Sequence, residues 1–104
     1  MTTEQKIQYI AEHYGYESQT RQCMEEMSEL IQALCKHSRA LSGRQISKSA
    51  ECPEKDEVTE EIADVYITVS QIEYILGISS MKLNEEIEKK LDRQIERMRD
   101  EINA

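Results

Sequence analysis

The chain is 104 residues long and carries 13 Lys+Arg against 21 Asp+Glu, a formal net charge of −8. That length holds one domain at most, and a chain this acidic is poorly suited to a nucleic-acid backbone or an anionic membrane surface. Tryptophan and phenylalanine are absent, glycine occurs three times and proline once, a composition that suits long helices and argues against a β-sandwich or a glycine-rich α/β domain. No apolar run approaches the ~20 residues of a membrane span, and Met1-Thr2-Thr3-Glu4 lacks a secretory signal, so the expected location is the cytoplasm. The three cysteines have no CxxC spacing. Cys23 and Cys35 fall on the apolar side of a helix and read as buried reduced thiols, and Cys52 falls in a connection.

The first predicted helix runs from about Glu4 to about Tyr14. Thr2 and Gln5 have capping-box spacing, Ile7, Ile10, Ala11 and Tyr14 form its apolar face, and Gly15 ends it. His13, beside that glycine, reads as a helix C-terminal histidine favoured by the dipole. A second helix is predicted from an N-cap at Ser18 to about Leu41, with an apolar arc of Cys23, Met24, Met27, Leu30, Ile31, Leu34 and Cys35. From about Ser42 to about Glu54 the helical pattern stops in a connection that is long for a helical bundle. Arg39, Arg44 and Lys48 make this stretch locally basic; a flap over an anionic ligand and a plain linker both fit it. A third helix is predicted from near Pro53 to Gly77. Its seam is Val58, Ile62, Val65, Val69, Ile72 and Leu76, and a second stripe holds Ala63, Ile67 and Tyr74. A helix apolar on two sides is buried on two sides. A fourth helix is predicted from about Ser80 to about Ile102, with Ile87, Leu91, Ile95, Met98 and Ile102 as its buried face. The expected architecture is a single all-α domain over 1–104, four-helix-bundle-like and completed by oligomerisation.

The chemistry sits on the second and third predicted helices. Glu26 and Glu29 are three residues apart, hence surface neighbours, and Glu25 is one turn from Glu29. Ala33, a turn further on, leaves room beside them. On the third helix Glu61 projects roughly 20° outside the apolar arc and Asp64 roughly 60° further round, so two carboxylates stand at the lip of a packed seam. Clustered carboxylates repel one another unless a cation neutralises them. A donor set made only of oxygen selects hard cations, Mg²⁺ or Mn²⁺. The ferritin-type Glu-x-x-His pattern is absent, because neither His13 nor His37 stands three residues after a glutamate. The fourth helix carries a basic flank of Lys82, Lys89, Lys90, Arg93 and Arg97, suited to phosphate contacts.

Glu25-Glu26-Met27-Ser28-Glu29 followed by Glu61-Ile62-Ala63-Asp64 resembles the paired Glu-Glu-x-x-Glu and Glu-x-x-Asp motifs of the MazG-like nucleotide pyrophosphohydrolases, of the all-α NTP pyrophosphatase superfamily. The resemblance extends from the second predicted helix through the fourth. It implies a helical bundle in a dimer or tetramer and Mg²⁺-dependent hydrolysis of a nucleoside triphosphate to the monophosphate and pyrophosphate. It further implies that Glu26, Glu29, Glu61 and Asp64 are metal ligands, that Glu25 is a supporting or water-orienting carboxylate, and that Lys90 and Arg93 contact phosphates. In the expected reaction, metal-activated water attacks the α-phosphorus in line and pyrophosphate leaves. A non-catalytic helical interaction module and a related phosphoribosyl-ATP pyrophosphohydrolase are the alternatives. The base is not legible: Tyr14, Tyr16 and Gln19 are conceivable contacts, and no residue pattern selects among them.

Overall fold

The structure, a computed structural model, describes residues 1–40 and 55–104. The expected 42–54 connection, with Arg44, Lys48, Cys52 and Pro53, and the expected end of the second helix at Leu41 lie outside the described residues. Those described are all-helical, without a strand among them: α1 spans Thr3–Ala40, α2 Lys55–Leu76 and α3 Ser80–Asn103. None of these helices is long and apolar enough to cross a membrane.

The predicted capping box opens α1. The Thr2 amide donates to Gln5 Oε1 at 2.8 Å, and the Gln5 amide donates to Thr2 Oγ1 at 3.1 Å, so two orphan donors of the first turn are satisfied reciprocally. Two helices were expected where α1 runs, and their boundary is present as a kink. Gly15 adopts φ 82° and ψ 177° inside α1, a backbone region essentially reserved for glycine. The helix runs directly on both sides of it, so Ser18 lies inside α1 and is not an N-cap. A Cβ built on Gly15 would meet nothing within 4 Å; the cost of a side chain there is therefore backbone strain alone. Gly15→Ala is expected to lower stability by about 1–3 kcal/mol, read as a lower denaturant midpoint at unchanged m-value.

α2 ends as expected at Gly77, whose φ of 66° belongs to the left-handed region. The Ile78 amide donates to the Glu73 carbonyl at 2.9 Å and the Gly77 amide to the Tyr74 carbonyl at 3.1 Å, the paired bonds of a Schellman motif. Two residues later Ser79 caps α3, its side chain accepting from the Lys82 amide at 3.3 Å.

α1 and α2 form an antiparallel hairpin. The Tyr74 hydroxyl donates to Glu12 at one end, and Lys36 pairs with Glu57 at 3.2 Å at the other. The face that α1 turns inward contains buried Gln19, Cys23 and Ala33 and half-buried Glu26, Leu30 and His37, an alternating three- and four-residue spacing typical of a helix–helix seam. The inward face of α2 centres on Glu61, Asp64, Val65, Thr68, Gln71 and Ile72, with Thr68 and Gln71 the buried ones.

Several expectations are corrected here. The inward face of α2 is rotated by roughly 75° from the predicted apolar seam, of which Val58, Val65, Val69 and Ile72 are still half-buried. Ile62 and Leu76 are turned to solvent at 39% and 55% exposure, and the second stripe of Ala63, Ile67 and Tyr74 is exposed as well. Met24, Met27, Ile31 and Leu34 of α1 are likewise exposed, as are Ile10 and Tyr14 nearer its start. Cys23 is buried as expected, but Cys35 is exposed. The physical reason is common to all of these: one hairpin has one inward face, and its register is set by the polar residues that meet across it. Among the described residues α3 packs against neither α1 nor α2, so Ile87, Leu91, Ile95, Met98 and Ile102, the expected buried face, are all exposed. Among the described residues no large side chain is fully buried. The radius of gyration, 17.6 Å, exceeds the ~13 Å of a compact domain of this length.

Candidate metal centre

The hairpin brings the two acidic motifs together at mid-height. Helical spacing puts Glu26 and Glu29 on successive turns of α1 and Glu61 and Asp64 on successive turns of α2. Antiparallel pairing then levels Glu29 with Glu61 and Glu26 with Asp64. One carboxylate oxygen from each of Glu26, Glu29 and Glu61 lies within 4.8 Å of the other two. Asp64, the fourth expected ligand, falls outside this trio, although its charge acts on both Glu26 and Glu61. The lip position expected from the sequence is therefore corrected. The carboxylates occupy the middle of the inward face, and the apolar seam lies beside it.

Glu26 and Glu61 are both half-buried. The Gln22 amide donates to Glu26 Oε1 at 2.7 Å. Glu26 Oε2 and Glu61 Oε2 are each cut off from solvent and accept no hydrogen bond among the described residues. Both carboxyls are pushed above the usual carboxylate range. Desolvation is the main cause for Glu26, reinforced by the charges of Glu29 and Asp64 and opposed by the Gln22 hydrogen bond. Desolvation also leads for Glu61, followed by the charges of Asp64 and Glu26. Two shielded acceptor oxygens without donors, in a group of like charges, are a destabilising arrangement for the chain alone. A hard divalent cation removes both difficulties. Oxygen ligands of a six-coordinate Mg²⁺ at about 2.0–2.1 Å stand about 3–4 Å from one another, so three oxygens within 4.8 Å need draw in only slightly. The residues fit such an ion.

The remaining sequence candidates are placed differently. Glu25 is exposed and stands outside the group of three, one turn from Glu29. Lys90 and Arg93 are exposed on α3, which does not pack on the hairpin, so one chain alone does not bring them to the carboxylates. Ala33, expected to leave room, is buried and lines a cleft of about 450 Å³ that begins at Glu29 and Glu61. Of the conceivable base contacts, Tyr14 and Tyr16 are exposed, while Gln19 is 4% exposed with its Oε1 unpartnered among the described residues. His13 is exposed and stacks edge-on against Tyr14, ring centroids 4.7 Å apart.

Sequence reasoning passed over Gln22 and Lys36. Gln22 precedes Glu26 by one turn, and Lys36 follows Glu29 by seven residues on the same helical face. Those spacings were the available signal. The buried polar layer of Gln19, Thr68 and Gln71 had none, because polar residues flanked by apolar ones read as the outer face of a helix. In comparison with known proteins, no family model matches the chain, and no curated protein or solved structure matches it either.

Proposed function

We propose that the chain is a Mg²⁺-dependent nucleoside triphosphate pyrophosphohydrolase of the MazG-like kind, acting in the cytoplasm as a homo-oligomer. The reaction converts a nucleoside triphosphate and water to the monophosphate and pyrophosphate. The single observation carrying this reading is the trio of glutamates with oxygens within 4.8 Å, two of which keep a shielded oxygen without a donor. Glu26, Glu29, Glu61 and Asp64 would hold the ion, Mg²⁺ or in its place Mn²⁺. When bound, the ion would make a coordinated water easier for a nearby base to deprotonate and would supply positive charge for the phosphates. Gln22 fixes one oxygen of Glu26, leaving the other shielded and without a donor. Glu25, exposed one turn from Glu29, is available to orient the attacking water. Lys90 and Arg93 would reach the phosphates only across a contact between subunits.

Self-association, as a dimer or tetramer, is supported by the exposed apolar face of α3 and by the apolar residues left outside the hairpin seam. That same face favours the second reading, a non-catalytic helical interaction module in which the carboxylates are simply an acidic surface. The test is pyrophosphate release from a panel of NTPs and dNTPs, with Mg²⁺ and with EDTA. Release from at least one nucleotide with Mg²⁺, lost with EDTA, is the expected result. Silence across the panel from a helical, folded protein favours the interaction module.

A further inference from the structure

We infer that Lys36 and Arg39 of α1 form the polyphosphate-binding end of the site, so that the phosphate contacts within one chain come from the same helix as Glu26 and Glu29. The inference rests on the metal reading above and adds to it the residues that receive the anionic tail of the ligand.

The cleft of about 450 Å³ is lined by Glu29, Ala33, Lys36, Arg39, Glu57 and Glu61, among others. Its volume falls in the range typical of small-molecule sites. One end is the carboxylate cluster. Lys36 follows Glu29 by seven residues, which returns it to the same face of α1 two turns on, about 10 Å along the axis. Arg39 lies a further turn along and lines the same cleft. Ala33, between Glu29 and Lys36 on the helix, adds only a methyl group to that lining. The Lys36 ammonium is drawn to the α2 side by Glu57 at 3.2 Å, which holds it at the cleft wall. Both cations are exposed, so an incoming anion meets them without first breaking a packed core. A guanidinium and an ammonium at one end, with carboxylates suited to a divalent ion at the other, match the chemistry of a metal-chelated polyphosphate.

Charge orders the two binding events. The cleft-lining Glu29, Glu57 and Glu61, with the neighbouring carboxylates Glu26 and Asp64 of the metal set, stand against Lys36 and Arg39, a balance of −5 + 2 = −3 that repels phosphate. One divalent ion at the carboxylates reduces the balance to −1 and offers open positions to phosphate oxygens. Polyphosphate therefore binds more tightly to the metal-loaded protein than to the metal-free one.

The experiment uses the full chain and two probes that carry no base. Mn²⁺ is titrated calorimetrically into metal-free protein, and Mn²⁺–tripolyphosphate into the Mn²⁺-loaded protein. Wild type is compared with Lys36→Ala/Arg39→Ala, with the milder single variant Arg39→Gln, and with Lys90→Ala/Arg93→Ala, helicity being checked by circular dichroism. The double variant on α1 is expected to bind Mn²⁺ as well as wild type or better, because two nearby cations are gone. Its affinity for Mn²⁺–tripolyphosphate should fall about tenfold or more, as loss of two charge-assisted contacts implies. Arg39→Gln should show part of that loss, and it carries the test if the double variant does not fold. Unchanged tripolyphosphate affinity in the α1 variants with Mn²⁺ binding intact overturns the inference and leaves the metal reading standing, as does a loss confined to Lys90→Ala/Arg93→Ala. Absence of Mn²⁺ binding in wild type overturns both.

Discussion

Glu61→Gln is expected to remove Mg²⁺-dependent pyrophosphate release while leaving the helices folded. Glu61 contributes one of the three oxygens within 4.8 Å, and its Oε2 is shielded and without a donor. The amide keeps the shape of the side chain and loses the negative charge, so packing is spared and cation binding is not. Disturbing even the outer partners of a metal site costs about 10–100-fold in affinity or activity, and loss of a direct ligand should exceed the upper figure. The metal-free variant should also be slightly more stable than wild type, because one member of a repelling group has been neutralised. Turnover assays with a calorimetric Mn²⁺ titration and a thermal melt check all three points. Full activity in Glu61→Gln would remove these carboxylates from the mechanism.

The second large effect is a cation-dependent change in stability whose size depends on pH. In the metal-free chain Glu26 and Glu61 hold their protons to higher pH when folded than when unfolded. Across the window from the ordinary carboxylate range up through the raised values, the folded state binds more protons, so stability falls as pH rises. The contribution of these two groups is fully present below the unfolded value and lost above the folded one. Mg²⁺ competes with those protons for the same oxygens. Its stabilisation should grow as pH rises through that window, reaching about 2.7 kcal/mol when free Mg²⁺ stands a hundredfold above its Kd. Melting curves across the window, with Mg²⁺ and with EDTA, measure this directly. A melting temperature indifferent to Mg²⁺ at pH 7 would count for the interaction module.

The helices were largely legible in the sequence because their punctuation is local. Thr2 with Gln5, Gly15, Gly77 and the start of α3 at Ser80 depend only on near neighbours, and each was recognised from residue type and spacing. The orientation of α2 was not legible. Hydrophobicity alone points its Val58–Leu76 seam at the core, whereas Glu61, Asp64, Thr68 and Gln71 face α1. Acidic residues were recognised as a group because Glu-x-x-Glu and Glu-x-x-Asp have helical spacing. That they meet at mid-height depends on the register between two helices, which no local pattern encodes. Lys36 illustrates the same limit. Its place in the cleft follows from the hairpin, and in the sequence it is one more exposed lysine on a helix.

The Schellman turn at Gly77 and the Ser79 cap leave only Gly77, Ile78 and Ser79 between α2 and α3. α3 is 24 residues long, hence about 36 Å from end to end, and touches neither other helix among the described residues. Mechanically it is a lever on a three-residue hinge. A change of about 10° in the hinge swings the far end, near Ile102, by roughly 6 Å, more than the rise of a helical turn. The backbone angles at one glycine thus aim the whole apolar stripe of α3, and a side chain at position 77 would redirect that stripe without touching a residue on it.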